Sequence, residues 1–324
     1  DGAPKWADRF PHVRELTVMA PSLFWVTAVA LAVALPCDAL AQAAAPRFAD
    51  DLGEPGALFS PDAGAADEAG AEQPWCFQGE DIEALTPTVC HYSPAPPERA
   101  PDTLVIFLHG LTKVGTTWQW NGQRGLARAA KAHGFSVITP RGRVGAGSSK
   151  FADHWNWPSS VAGQNALEAE VLAEWKQARE TLEKRNGRPF AKVFVWGFSA
   201  GAYYAAGLAL RGRLDVAGYA VFAGGGAPKG VERWAKGTQP KVPVYVGYGH
   251  KDRARKDPAR LGQALRAMGW KSLVVGRRNV GHSMTDAQIR EAVTFLRSGK
   301  KPSARPTKPP KQRKNAPKTK KKRG

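Results

Sequence analysis

The five residues Gly197-Phe198-Ser199-Ala200-Gly201 constrain this chain more than any other stretch. Before them, Lys192-Val193-Phe194-Val195-Trp196 is rich in β-branched and aromatic residues, the composition of a buried strand. After them, Ala202-Tyr203-Tyr204-Ala205-Ala206 opens a small-residue helical pattern. A strand that passes directly into a helix around a serine needs a very tight turn. Side chains two positions before and after that serine would meet neighbouring backbone, and glycine stands at both places. The turn then holds the Ser199 hydroxyl clear of the sheet, at a helix N-terminus whose N–H groups favour developing negative charge. The plain reading is a strand, a glycine turn and a helix with an idle serine; the chemical reading makes Ser199 a nucleophile.

Strands and helices alternate around this turn. Thr103 to Leu108 is a continuous apolar run, the mark of a strand buried on both faces, and it ends at His109-Gly110. A helix is expected over Gly122 to His133, a strand over Phe135 to Thr139, and a long loop over Gly145 to Pro158. From Gln164 to Lys184, apolar residues recur at helical spacing (Leu167, Val171, Leu172, Trp175, Ala178, Leu182). Further strands are expected over Val216 to Ala223, Val242 to Tyr248 and Lys271 to Val275, with helices over Pro258 to Met268 and Asp286 to Leu296. This alternation predicts an α/β fold with a mostly parallel central sheet and helices on both faces. In open sheets of that kind, sites form at the carboxyl ends of the strands.

Serine needs a base, and the base needs a carboxylate to fix its tautomer and stabilise its charged form. His282, after the last strand and before the last helix, is the candidate base. Asp252, after the Val242 strand, is the candidate carboxylate. Asp257 is the rival acid, although it lies near the cap of the next helix, and His250 is a rival only by proximity. The backbone N–H of Ala200 is one expected oxyanion donor. The other comes from the loop after the Thr103 strand, with Leu111 preferred over Thr112.

The order Ser199, Asp252, His282, together with His109-Gly110 after a buried strand and the Gly197–Gly201 turn, resembles the α/β-hydrolase superfamily over roughly Thr103 to Leu296. Within it, Trp155-Asn156-Trp157, a cysteine-bearing leader and an export signal resemble the secreted esterases related to poly(3-hydroxyalkanoate) depolymerases and to feruloyl and acetylxylan esterases. The resemblance implies a serine carboxylesterase that needs no metal or other cofactor, acting on an ester substrate. The stretch 224–241 is too short for a large cap domain, which implies an open cleft. His109, Trp155, Trp157, Phe198 and Tyr203 are the candidate substrate-binding residues, with Trp118 and Trp120 flanking; core packing is the alternative for each aromatic. A serine peptidase of the same fold and a vestigial envelope-binding protein are the competing readings.

The extremities are read from composition. Leu23 to Leu35 is an apolar run of signal-peptide length, broken by Pro36 and followed by Ala39-Leu40-Ala41, so export with cleavage after Ala41 is expected and the 1–41 segment is lost. A start at Met19 would leave no Lys or Arg before that run, whereas Lys5, Arg9 and Arg14 lie upstream. The protein is then secreted or periplasmic, with no stable membrane span. Residues 42–73 form an acidic linker without apolar periodicity, and 74–298 the catalytic domain. Of the three cysteines, Cys37 falls in the removed segment. Cys76 and Cys90 suit one disulfide, worth roughly 3 kcal/mol in the chain-entropy model. The net charge is +19, but Ser298 to Gly324 holds twelve Lys/Arg and no acid, which leaves +7 for the rest. The basic tail, 299–324, is thus the candidate attachment to a polyanion or envelope surface. Without interleaved aromatics it does not predict sequence-specific nucleic-acid binding.

Overall fold

The computed structural model describes residues 73–300. The expected signal peptide, the acidic linker up to Glu72 and the basic tail beyond Lys300 lie outside the described residues. In chain order the elements are β1 (Glu83–Thr86), β2 (Val89–Tyr92), β3 (Thr103–Leu108), β4 (Thr112–Lys113), α1 (Trp118–His133), β5 (Ser136–Pro140), β6 (Arg143–Val144) and β7 (His154–Asn156). A short α2 (Val161–Gly163) runs through a π turn (Gln164–Glu168) into α3 (Ala169–Asn186). Then come β8 (Lys192–Phe198), α4 (Ala200–Arg211), β9 (Gly218–Phe222), α5 (Glu232–Ala235), β10 (Val244–Gly249), α6 (Lys256–Ala267), β11 (Ser272–Arg277) and α7 (Asp286–Ser298).

Eight strands form one sheet in the order β1-β2-β5-β3-β8-β9-β10-β11. The β1–β2 and β2–β5 pairs are antiparallel and every other neighbouring pair is parallel. The mostly parallel sheet expected from the alternation is therefore present. The leader is a hairpin added to its edge, tied down by the Cys76–Cys90 disulfide.

The period of two along a strand explains why β3 and β8 read as unbroken apolar runs. Leu104, Ile106 and Leu108 of β3 and Val193 and Val195 of β8 face the layer built by α3, α4 and α6. Val105, Phe107, Phe194, Trp196 and Phe198 face the opposite layer, built by α1 and α7. Both faces are thus covered, which leaves the strand ends as the place for a site. The expected elements recur with their ends shifted by a few residues.

Two expectations are corrected. The stretch Gly145 to Pro158 is not loop throughout. It carries β7, which pairs antiparallel with both β4 and β6 to make a small second sheet above the ends of β3 and β5. The long helix does not run unbroken from Gln164, because its first five residues form the π turn. Between β9 and β10 the described chain holds the four-residue helix α5, in keeping with the short connection read from the sequence.

Candidate active site

The turn at Ser199 is as tight as its glycines imply. Ser199 sits at φ 52°, ψ −117°, a conformation that an L-residue adopts only when its surroundings enforce it. A Cβ on Gly197 would stand 2.3 Å from the Gly201 carbonyl oxygen. A Cβ on Gly201 would stand 2.2 Å from that of Leu108. The turn is pinned from both sides: Ser199 N–H donates to the Phe222 carbonyl of β9 (3.0 Å), and Gly201 N–H to that of His109 (3.1 Å).

The four parallel strands β3, β8, β10 and β11 bring their ends to this turn. Ser199 follows β8, Asp252 lies just beyond β10, and His282 lies in the loop between β11 and α7. The Ser199 Oγ is 2.9 Å from His282 Nε2, and His282 Nδ1 is 2.9 Å from Asp252 Oδ2. Asp252 is 3% exposed, and its other oxygen accepts the Ala254 N–H at 2.8 Å. An ionised carboxylate can only accept, so His282 Nδ1 must carry the proton and donate it, leaving Nε2 free to accept from the serine hydroxyl. The arrangement can take a proton from Ser199 at Nε2 and hold the resulting positive charge against a buried carboxylate. The rival acid Asp257 is engaged elsewhere: it accepts from Tyr203 Oη at 2.6 Å and pairs with Arg260. His250 is exposed and packs on Tyr248.

The loop after β3 lies directly on the turn. A Cβ on Gly110 would come within 3.2 Å of both the Phe198 ring and Ser199 Cβ, so only glycine lets this backbone approach without displacing its neighbours. Ala200 and Leu111, the expected oxyanion donors, flank this contact, each half-buried. Among the described residues the Ala200 N–H has no carbonyl partner, whereas those of Ser199, Gly201, Ala202 and Tyr203 each have one.

The residues expected to contact substrate divide into two groups. Trp155 and Tyr203 are half-buried, Trp155 under the Arg141 guanidinium at 4.1 Å and Tyr203 bonded to Asp257. Burial, and then the Asp257 carboxylate, push the Tyr203 phenol above its ordinary pKa. His109, Trp157 and Phe198 are buried among other rings. Trp157 is fully enclosed, stacked with Tyr204 and edge-on to Trp175, with its Nε1–H on the His109 carbonyl at 2.8 Å. Phe198 packs between Trp118 and the His282 ring, with centroids at 6.5 and 5.3 Å.

His109 is the residue whose part the sequence did not disclose. Its Nε2 accepts the Gly142 N–H at 2.9 Å, so its proton is on Nδ1, which donates to the Gly110 carbonyl. Burial lowers its pKa to about 4, despite the opposing hydrogen bond to Gly110, with Arg141 adding to the fall. It is a neutral imidazole tying the β3 loop to the loop after β5. The only signal for this in the sequence was the adjacent Gly110.

A parallel-dominated sheet with a strained serine turn, a histidine and a buried aspartate at its strand ends defines an α/β-hydrolase. Within that class, the chain belongs to the phospholipase/carboxylesterase family, which matches residues 93–299. It is similar to the solved structure of a carboxylesterase from Mesorhizobium loti, at 18% identity over 68% of this chain and 100% of that one, with a TM-score of 0.49. A carboxylesterase from Bacillus cereus is similar at 16% identity over 64% of this chain and 92% of that one, with a TM-score of 0.41. Among curated proteins, none matches the sequence.

Proposed function

We propose that this chain is an exported serine hydrolase that cleaves carboxylic esters through an acyl-enzyme intermediate. The observation that carries this reading is the continuous chain Ser199 Oγ, His282, Asp252, with both links at 2.9 Å. Ser199 attacks the ester carbonyl as His282 Nε2 takes its proton. The Ala200 and Leu111 N–H groups receive the developing oxyanion. The alcohol leaves with the proton from His282, and water repeats the cycle on the acyl-enzyme. Membership of the phospholipase/carboxylesterase family supports an ester as substrate. The short β9–β10 connection and the half-buried Trp155 and Tyr203 favour a cleft that admits bulky or polymeric esters. The Cys76–Cys90 disulfide and the apolar run Leu23 to Leu35 support export into an oxidising compartment. On this reading a signal peptide (1–41) and a linker (42–73) precede the catalytic domain (74–298), and a basic tail (299–324) follows it. Among the described residues no helix is long and apolar enough to cross a membrane.

The test is a panel of p-nitrophenyl esters, feruloyl and acetyl esters and a polyester film, run with the parent chain and Ser199→Ala. Turnover of at least one ester by the parent is expected, together with a fall of at least about 10³-fold on removing the serine. Equal turnover by both proteins would end the acyl-enzyme account.

A further inference from the structure

The family match begins at residue 93, yet three residues before it, Trp75, Cys76 and Cys90, form a buried cluster that packs on Trp155 and, through Trp75, on the His109 ring. We propose that the disulfide-bonded leader is a working part of the active site: Trp75 seats His109, and His109 sets the direction of the Leu111 N–H. The inference rests on the esterase reading above and assigns positioning roles to Trp75 and His109.

The chemistry starts at one peptide plane. The Gly110 carbonyl and the Leu111 N–H belong to the same planar trans unit, so fixing the oxygen aims the N–H in the opposite direction. Two donors hold that oxygen: His109 Nδ1–H and the Thr112 hydroxyl, the latter at 3.1 Å. The imidazole is in turn oriented by the Gly142 N–H on Nε2. If the ring rotates, the Gly110 carbonyl loses a partner and the plane is free to flip, turning a carbonyl toward the place where the oxyanion needs a donor.

Two indoles keep the ring from rotating. Trp157 lies 4.8 Å from it and Trp75 4.9 Å, centroid to centroid. Trp157 is held within the family core. Trp75 belongs to the leader and is held by contacts that the leader makes to β5 and α1. Its Nε1–H donates to the Thr139 carbonyl at 3.0 Å. Its own carbonyl accepts from Gln123 Nε2 of α1 at 2.9 Å, and Gln123 Oε1 receives the Phe77 N–H at 2.7 Å. Between these contacts the Cys76–Cys90 bridge fastens the segment to β2. Trp75 and its partner Gln123 of α1 are each 4% exposed, so the contact between leader and helix is enclosed. A leader serving only as an edge strand would need none of these contacts beyond the hairpin.

The experiment compares Trp75→Leu, Trp75→Phe and the chemically reduced parent, with bridge opening checked by thiol alkylation and folding by far-UV circular dichroism. Initial rates on a p-nitrophenyl ester give kcat and KM. Trp75→Leu is expected to lower kcat about 10- to 100-fold, short of the full loss of an oxyanion donor, with KM within about twofold. Trp75→Phe, which keeps a ring on His109, should restore kcat to within about threefold of the parent. The reduced parent should show the same fall in kcat at constant KM. If Trp75→Leu does not fold, reduction of the parent carries the test alone. A folded Trp75→Leu chain, or a folded reduced parent, with kcat within twofold of the untreated parent overturns the proposal. Failure of the esterase reading looks different, since the untreated parent itself would then turn over no ester, and that result overturns this proposal as well.

Discussion

His109 carries the sharpest consequence at the residue scale. Its imidazole is wholly enclosed, and burial pulls its pKa from 6.5 to about 4. Above pH 6.5 it is neutral in both the folded and the unfolded chain. As the pH falls from 6.5 to 4, the unfolded chain takes up a proton that the native ring refuses, so stability drops across that window. The shift corresponds to on the order of 3 kcal/mol once pH 4 is passed. Thermal melts of the parent and of His109→Gln between pH 7 and 4 should therefore converge, the parent losing more of its Tm over this range. Parallel curves would show that another group governs the acid response. The contrast with the triad shows what a sequence discloses at this scale. Ser199, Asp252 and His282 are marked by local context, each following a strand in a set order. The part played by His109 depends on Trp75, Gly142 and Trp157, three segments whose convergence no local pattern encodes. A histidine at the end of a buried strand therefore reads equally as substrate contact or as scaffold.

Elements were legible where their apolar period was long. The strand β3 coincides with the apolar run Thr103 to Leu108, and α7 begins at Asp286 behind a capping box of Thr285 and Gln288. The two- and three-residue strands of the small sheet have no period to read, so their stretch looked like loop. The π turn was equally hidden, since one inserted residue barely disturbs the apolar spacing of α3. Its last residue, Glu168, nevertheless anchors the helix that carries the serine turn. The Glu168 carboxylate is 3% exposed and meets Arg211 in a bidentate pair (2.6 and 2.9 Å), Arg213 at 2.8 Å and the Tyr204 hydroxyl at 3.2 Å. Burial alone would raise its pKa, but the two guanidinium groups hold it below the ordinary value. Removing its charge leaves Arg211 facing a neutral amide in a dry setting. Glu168→Gln should cost about 2 kcal/mol, lowering Tm by roughly 4–8 °C with little change in kcat. Arg213→Ala, on a half-exposed partner, should cost under about 1 kcal/mol. Equal losses in the two variants, measured by thermal melting, would place the anchor elsewhere.

At the scale of the whole molecule, charge and chemistry occupy different parts of the chain. The hydrogen-bonded Ser199, Asp252 and His282 lie within 199–282, whereas twelve of the basic residues lie after Gly299. The helix α7 ends at Gly299 in a left-handed cap (φ 65°), with the Gly299 N–H on the Phe295 carbonyl at 2.7 Å. A chain stopped after Gly299 thus keeps the closing contact of its last helix. This makes the tail separable in an experiment: truncation removes +12 of the +19 charge and leaves the contacts described for the sheet and the site in place. If the tail is what attaches the enzyme to a polyanionic surface, the full chain should stay on an acidic polysaccharide matrix at low salt. It should come off as ionic strength rises and the Debye length shrinks to about 3 Å near 1 M. The truncated chain should pass through the same matrix at low salt, with kcat/KM on a small neutral ester within about twofold of the full chain, because such a substrate gains nothing from long-range charge. Equal retention of the two chains would assign attachment to the remaining +7, and the tail would then have no part in placing the enzyme at its substrate.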